Sequence, residues 1–255
     1  MRAFSVVGVS QTGKTTTIEH IIAELKRRRY SVGSIKDIHF EGFTIDDEGT
    51  NTYRHHQAGA ELVTARGLQE TDVLFKNRLP IGEILRFYSH DFVVMEGVQD
   101  FCLPKIVAGR DVSDVQQKMD ETVFAVSGRI SKDMDEYRGL PVINAVSNSG
   151  QLVDLIEEKV FRPLPNLNEE CCGACGFSCY ELTAKILKGQ AEPSDCLVAQ
   201  DADVELSIGG EIIEMAPFVQ KILRNAVEGV VEELDGYQPE AEVRVRLKDN
   251  HDASG

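Results

Sequence analysis

Apolar residues recur along the chain with two different spacings, which predict strands that alternate with helices. The apolar run at residues 3–7 is typical of a buried strand, and residues at helical spacing follow it: Ile18, Ile21, Ile22 and Leu25. Further strand-like runs occupy residues 30–36, 60–66, 71–75, 91–96, 105–107, 122–126 and 141–144, and helices are predicted at 50–58, 81–88 and 149–160. This alternation predicts an α/β fold with a mostly parallel, doubly wound sheet.

A glycine-rich loop joins the first predicted strand to the first predicted helix. Residues 8–15 read G-V-S-Q-T-G-K-T, a complete G-x-x-x-x-G-K-[ST] phosphate-binding pattern. Lys14 is expected to contact the β and γ phosphates, and the Thr15 hydroxyl to contact magnesium. The fold class is therefore refined to a P-loop NTPase-like sheet with flanking helices. The residues expected to bind nucleotide are Gly8, Ser10, Gln11, Thr12, Gly13, Lys14, Thr15 and Thr16.

Two acidic residues end predicted strands on the side where a parallel sheet binds its ligand. Asp37 follows the second strand, and Glu96 ends the apolar run at residues 91–96. We expect Glu96 to bind magnesium or its water shell, and Asp37 to reach magnesium through water or to orient a nucleophile. With Lys14 they are the candidate catalytic residues, the alternative being that they are ordinary solvated acids. No Asn-Lys-x-Asp signature is present, so the residues alone leave GTP and ATP open.

Five of the six cysteines lie between residues 171 and 196, which indicates a metal site. The spacing C-x2-C-x3-C-x16-C is formed by Cys172, Cys175, Cys179 and Cys196. Three close thiols and one remote thiol favour a [4Fe-4S] cluster, with zinc as the alternative. Cys171 is an alternative ligand to Cys172, and Cys102 is interpreted as an ordinary buried or surface thiol.

The composition of the chain excludes some classes of partner, and changes in composition along it predict its division into parts. The net charge of −15 over 255 residues argues against coating nucleic acid. No apolar run is long enough for a membrane span, and no signal peptide precedes the first strand, so a cytoplasmic location is expected. The predicted parts are a nucleotide-binding domain at 1–160, a proline-containing linker at 161–170, the cysteine segment at 171–200 and a small α+β unit at 201–255. In the last part we predict a hairpin, a helix from Pro217 and a strand at 243–247.

With these motifs in place, residues 1–160 resemble the molybdopterin-guanine dinucleotide biosynthesis protein B family. Beyond the loop, the matching features are Lys36-Asp37-x-His39, Asp46, Gly49, Tyr53-Arg54-His55, Ala58-Gly59-Ala60, Glu96-Gly97 and Pro104-Lys105-Ile106. The pair Asn51-Thr52 stands where that family more usually has Asp-Ser. The resemblance implies a homodimer that binds GTP with magnesium and hydrolyses it weakly. It also implies an accessory role in the biosynthesis of the molybdenum or tungsten cofactor, where the protein supports attachment of a guanine nucleotide to molybdopterin. Molybdopterin or its nucleotidyltransferase is the implied partner.

The cysteine segment is similar to the small [4Fe-4S] domain of corrinoid iron–sulfur proteins, although the gap between Cys175 and Cys179 is one residue shorter here. This second resemblance keeps two further functions open. One is a nucleotide-driven iron–sulfur electron carrier or metal-delivery protein. The other is a binding module whose cluster is only structural.

Overall fold

The computed structural model describes most of the chain in two units. The described residues are 1–40, 42–166, 175–198, 204, 206–208, 211–213, 215, 217–238, 243 and 245. One unit spans Met1–Ala199 and the other spans Gln200–Gly255. Within the described ranges, no helix combines the length and the apolar character needed to cross a membrane.

The first unit alternates strands and helices, as the sequence pattern predicts. Its strands are β1 Arg2–Val7, β2 Val32–Lys36, β3 Leu62–Arg66, β4 Thr71–Phe75, β5 Phe92–Glu96, β6 Lys105–Gly109, β7 Val123–Gly128, β8 Glu136–Tyr137 and β9 Leu140–Pro141. Its helices are α1 Lys14–Arg27, α2 Asn51–Gln57, α3 Ile81–Leu85, α4 Val112–Gln116, α5 Ser149–Lys159 and α6 Cys179–Leu187, with 3₁₀ turns at Arg129–Lys132 and Pro193–Asp195. The predicted strand at 141–144 is shorter than expected, because only a single bridge from Val142 to Val126 extends β9 toward the main sheet.

The central sheet has five strands in the order β2-β5-β1-β6-β7, and every pairing in it is parallel. The predicted fold class is thereby confirmed. Since parallel strands share one carboxyl edge, the residues that follow β1, β2 and β5 lie at the same edge of the sheet.

Alternate residues of β1 pack on opposite faces of this sheet. Phe4 and Val6 of β1 belong to a core formed with α1 and α5. Ala3 of the same strand belongs to a separate core that includes Ile81 and Leu85 of α3. The side chains of a strand point alternately to its two faces, so a strand covered by helices on both sides must be apolar throughout.

Among the residues that the structure describes, three antiparallel hairpins lie outside the central sheet. They are formed by β3 with β4, by β8 with β9, and in the second unit by β10 Leu206–Ile208 with β11 Glu211–Ile213. The second unit continues with α7 Pro217–Val231, so its predicted hairpin and helix are confirmed. The strand predicted at 243–247 lies largely outside the described residues. The four-part division of the chain stays a prediction.

The basic run at the end of α1 joins that helix to α5. Glu24 accepts hydrogen bonds from Arg27 at 2.7 Å and from Arg28 at 2.9 Å. Arg28 also pairs with Asp154 at 2.7 Å and Glu157 at 2.6 Å, both on α5. The run therefore has a structural role at the helix end, and these hydrogen bonds lower the pKa of Glu24 to about 2.

We expect Glu24→Gln to destabilise the protein in a pH-dependent way. The pKa of this carboxyl falls from 4.5 to about 2 on folding, so its charge contributes stability above pH 4.5 that is lost as the pH falls toward 2. The difference in urea midpoint between wild type and Glu24→Gln should be largest at neutral pH and should close near pH 2. Glu19→Gln, an exposed position on the same helix, is the control. A difference that stays constant with pH would contradict the assignment.

Candidate nucleotide and metal sites

The phosphate-binding loop is held tightly at the carboxyl edge of the sheet. Gly13 caps α1 with a φ of 98°, a left-handed conformation that glycine adopts without steric cost. A Cβ on Gly8 would lie only 2.2 Å from the carbonyl oxygen of Ala108 in β6. The hydroxyl of Thr12 donates to the carbonyl of Val9 at 3.1 Å. Gly8 is thus required by the close approach of β6, and Gly13 by the turn into α1. The loop is fixed against β6.

The polar side chains of the loop are placed where an anion can reach them. Four predicted nucleotide-binding residues are exposed: Ser10, Gln11, Thr15 and Thr16. The Lys14 ammonium donates to the Val9 carbonyl at 2.6 Å. Burial lowers the pKa of Lys14, the nearby Glu96 opposes this, and Lys36 adds to the lowering. A phosphate at the loop would therefore supply a counter-charge to a partly desolvated ammonium.

Glu96 lies beside the loop threonine. The Thr15 hydroxyl is 3.2 Å from Glu96 Oε1 and 3.4 Å from Oε2. The Lys36 ammonium lies 3.5 Å from the same carboxylate, whose side chain is 14% exposed. A hydroxyl and a carboxylate at this separation are the oxygen ligands that magnesium prefers in nucleotide sites. The donor set therefore fits the predicted magnesium site.

Asp37 lies next to Glu96 but is engaged by basic partners. Its backbone N–H donates to the Glu96 carbonyl at 2.9 Å. Its carboxylate lies 3.2 Å from Arg78 and 3.6 Å from His39, and Arg78 also contacts Asp100 at 3.2 Å. The sequence analysis did not identify Arg78 or Asp100. In the sequence, Arg78 and Asp100 differ from other charged residues only in lying near the end of a strand-like run. Many solvated charged residues share that position, so it does not identify a site.

The loop between β2 and α2 forms a small hydroxyl–carboxylate network. Asp46 Oδ1 accepts hydrogen bonds from Thr50 and Thr52, each at 2.7 Å. These two bonds lower the pKa of Asp46. Thr50 also caps α2 by accepting from the backbone N–H of Tyr53. Thr52, at one of the two positions that depart from the usual Asp-Ser pair, thus still supplies a hydroxyl to Asp46.

The predicted metal ligands that the structure describes converge on one apolar cluster, here called the cysteine core. Its buried members are Leu164, Cys179, Leu182 and Cys196, and the partly buried residues packed on them are Cys102, Phe161, Cys175, Phe177, Ile186, Ala191 and Val198. Cys171 and Cys172 lie outside the described residues. The sequence analysis treated Cys102 as unrelated to this segment. Burial raises the pKa of the Cys102 thiol, and its hydrogen bond to Thr183 opposes that rise.

The donor chemistry of the cysteine core fits an iron–sulfur or zinc centre, since thiolates are the preferred ligands of both. In the part of the chain that the structure describes, no three His, Cys, Asp or Glu side chains already stand together as a metal-binding group. The fit therefore rests on the type and convergence of the thiols. It does not rest on a preformed coordination geometry.

The nucleotide-binding part and the cysteine segment each match a known protein family. Residues 3–129 match the family described as "Molybdopterin guanine dinucleotide synthesis protein B". Residues 164–198 match a family described as "Putative Fe-S cluster". The second match covers the cysteine core residues of this segment and supports an iron–sulfur centre over zinc. The likeness to corrinoid iron–sulfur proteins stays a prediction.

Similar proteins extend the match over nearly the whole chain. A protein of Methanocaldococcus jannaschii, named "Putative molybdopterin-guanine dinucleotide biosynthesis adapter protein", is 30% identical over 256 residues and covers 97% of both chains. One of Bacillus subtilis, "Probable molybdopterin-guanine dinucleotide biosynthesis adapter protein", is 27% identical over 145 residues, which is 55% of this chain and 83% of that protein.

A solved structure is similar to the first part of the chain. The crystal structure of Bacillus subtilis MobB superposes with a TM-score of 0.52 and 25% identity, covering 62% of this chain and 97% of that one. The family-level prediction made from the loop and the strand-end motifs is confirmed. The chain belongs to the molybdopterin-guanine dinucleotide synthesis protein B family.

Proposed function

We propose that this protein binds GTP with magnesium and acts as an adapter in the synthesis of molybdopterin-guanine dinucleotide. The observation that carries the nucleotide part is the distance of 3.2 Å between the Thr15 hydroxyl and Glu96 at the mouth of the phosphate-binding loop. The adapter role is supported by the names of its relatives in Methanocaldococcus jannaschii and Bacillus subtilis.

The triphosphate would be held by the backbone N–H groups of the loop and by the start of α1. The N-terminus of a helix carries unpaired N–H donors and the positive end of the helix dipole, which favour phosphate. Lys14 would exchange its contact with the Val9 carbonyl, at 2.6 Å, for the β and γ phosphates. This exchange keeps the ammonium paired in both states. The protein therefore needs no rearrangement beyond one side chain at this position.

Thr15 and Glu96 would hold magnesium, which when bound neutralises part of the phosphate charge. Asp37 is our candidate for orienting a hydrolytic water, because it lies beside Glu96 at the same edge of the sheet. Its carboxylate is shared with Arg78 and His39. These two partners compete with a water molecule for the carboxylate oxygens of Asp37, so we propose that hydrolysis is weak.

The adapter would act on molybdopterin or on the nucleotidyltransferase that modifies it, and we propose that it does so as a homodimer. The support for a protein interface is the apolar surface around the β3–β4 hairpin. Large apolar side chains are exposed there: Leu62, Leu68, Val73, Phe75 and Phe87. Exposed apolar side chains grouped on one element are typical of association surfaces.

We further propose that the cysteine segment binds a [4Fe-4S] cluster through Cys172, Cys175, Cys179 and Cys196. A cluster held in an apolar surrounding can carry an electron when bound. The cysteine core also contains Cys102, from the connection that follows Glu96 at the nucleotide site, and this favours a second candidate function, in which nucleotide binding drives electron transfer or metal delivery to a partner. A cluster with no redox activity would instead be structural.

Glu96→Gln should impair magnesium-dependent GTP hydrolysis while leaving magnesium-free GTP binding unchanged. The amide keeps the shape of the carboxylate but removes the charge that holds the metal, and we expect a loss in hydrolysis rate of about tenfold or more. The measurements are phosphate release with magnesium and GTP titration with and without it.

The matched control for this variant is Asp100→Asn. Asp100 lies at the same edge and its carboxylate pairs with Arg78 at 3.2 Å, whereas the Thr15 hydroxyl donates to Glu96, so magnesium-dependent hydrolysis should be retained. Equal losses of GTP affinity with and without magnesium in Glu96→Gln would contradict the metal role of this carboxylate.

Serine at Cys175, Cys179 or Cys196 should abolish the cluster, because a hydroxyl is a poor ligand for this soft site. Protein purified without oxygen should be brown and carry about four irons per chain. Colour and iron content are the measurements, and each of the three variants should lose both.

The neighbouring cysteines Cys171 and Cys172 provide an internal control. We expect Cys172→Ser to lose iron and Cys171→Ser to retain it. Colourless wild-type protein with one zinc per chain would contradict the iron–sulfur assignment. That result would leave the nucleotide site standing.

A further inference from the structure

Cys102 belongs to the nucleotide-binding part of the chain but lies in the cysteine core. The other members of that core all come from residues 161–198. The Cys102 thiol donates to Thr183 Oγ1 at 3.3 Å. Thr183 follows Cys179 by one turn of α6, so both face the same side of that helix. The thiol from the sheet domain therefore meets the helix face that carries a predicted cluster ligand.

Several contacts keep the cysteine segment against this thiol. The backbone N–H of Cys102 donates to Asn166 Oδ1 at 3.2 Å. On the same face of α6, one turn before Thr183, the Tyr180 hydroxyl accepts from the Glu121 N–H at 3.0 Å, and Lys188 at the end of the helix pairs with the Glu121 carboxylate. These contacts come from Asn166 before α6, from Tyr180 in its first turn and from Lys188 at its end, so the position of Cys102 relative to α6 is fixed by more than the one hydrogen bond.

The connection that carries Cys102 begins at the nucleotide site. It leaves β5 after Glu96, and Ser5 of β1 holds it through a hydrogen bond to the Val98 carbonyl at 2.9 Å. It then places Phe101 and Leu103, which are 9% and 0% exposed, in the core under α3. Cys102 lies between these two anchors. The backbone that presents the thiol is therefore anchored in the core on both sides of Cys102.

We propose that the nucleotide-binding domain forms one wall of the iron–sulfur site, with Cys102 as its contact residue and not as a ligand. This inference rests on the proposed function, since it requires that the cysteine segment bind a cluster. The four ligands would come from the cysteine segment. Cys102 and the hydroxyl of Thr183 would border the cluster from the sheet side.

A wall residue affects the reduction potential of a cluster through charge and solvent exclusion. Reduction adds an electron to the cluster, so a carboxylate placed at the wall would stabilise the oxidised form and lower the potential. A neutral amide of the same shape lacks that charge. Comparing Cys102→Asp with Cys102→Asn therefore separates the effect of the charge from that of the changed packing.

The experiment is a dithionite titration of the anaerobic full chain, followed by absorbance, with iron counted in each sample. We expect Cys102→Asn and Cys102→Asp to hold wild-type iron. The Asp variant should have the more negative midpoint, with at least a threefold lower reduced-to-oxidised ratio at a given potential, about 30 mV for one electron. Val146→Asp, at an exposed position before α5, adds the same charge away from the cysteine core and from the proposed association surface, and it should leave the midpoint unchanged.

Each other outcome has a defined meaning. Equal midpoint potentials in the Asp and Asn variants, with full iron in both, would contradict the proposal that Cys102 borders the cluster. Loss of iron from both variants with unchanged circular dichroism, while the wild type is loaded, would indicate that Cys102 is a ligand and would also overturn the proposal. A wild-type chain that holds no iron would overturn the proposed iron–sulfur function itself, together with this inference.

A second measurement needs no substitution, and it tests whether Cys102 lies beside the cluster even if the Asp variant does not fold. The cluster is paramagnetic at room temperature, so it should broaden the backbone amide signals of residues 101–103 in the iron-loaded wild type. The zinc-loaded chain is the diamagnetic reference, and residues 33–35 of β2 are the internal control. Unbroadened signals at 101–103 would overturn the proposal.

Discussion

The parallel pairing of β1 with β5 on one side and β6 on the other is the constraint on which both candidate sites depend. The register pairs Val6 of β1 with Glu96 of β5, and this brings the carboxylate beside the loop that follows β1. On the other side, the carbonyl of Ala108 in β6 presses against Gly8. The loop thus lies between the Glu96 carboxylate and the backbone of β6. A shift of register by one residue would turn Glu96 to the other face and remove it from Thr15.

The same topology links the nucleotide site to the cysteine core. Because β5 and β6 lie on opposite sides of β1, the chain must cross from one to the other through residues 97–104. That crossing starts at Glu96 and carries Cys102 to the cysteine segment, where its thiol reaches Thr183. One short connection therefore borders both sites, so the nucleotide-binding part and the cysteine segment are packed together within one unit.

Much of the fold and of the nucleotide site was predictable because the signals are local. Strand and helix periodicity identify the elements, and the rule that parallel strands share a carboxyl edge brings Asp37 and Glu96 near the loop. The roles of Arg78 and Cys102 were not predictable. Their partners lie far away in sequence, at Asp37 and Thr183, and no spacing encodes such contacts. Residues 161–166 show a related limit, since the stretch lacks periodicity and yet Leu164 is 2% exposed.

The most direct test of the account is calorimetric titration of the wild-type protein and of Lys14→Ala with magnesium and GTP, GDP or ATP. The account predicts one GTP site per chain, tighter than ATP and strengthened by magnesium. It also predicts that Lys14→Ala loses this binding while its circular dichroism stays unchanged, because Lys14 contacts the loop carbonyl of Val9 and lies outside the cores. Failure of the wild type to bind any of the three nucleotides, or unchanged GTP affinity in Lys14→Ala, would contradict it.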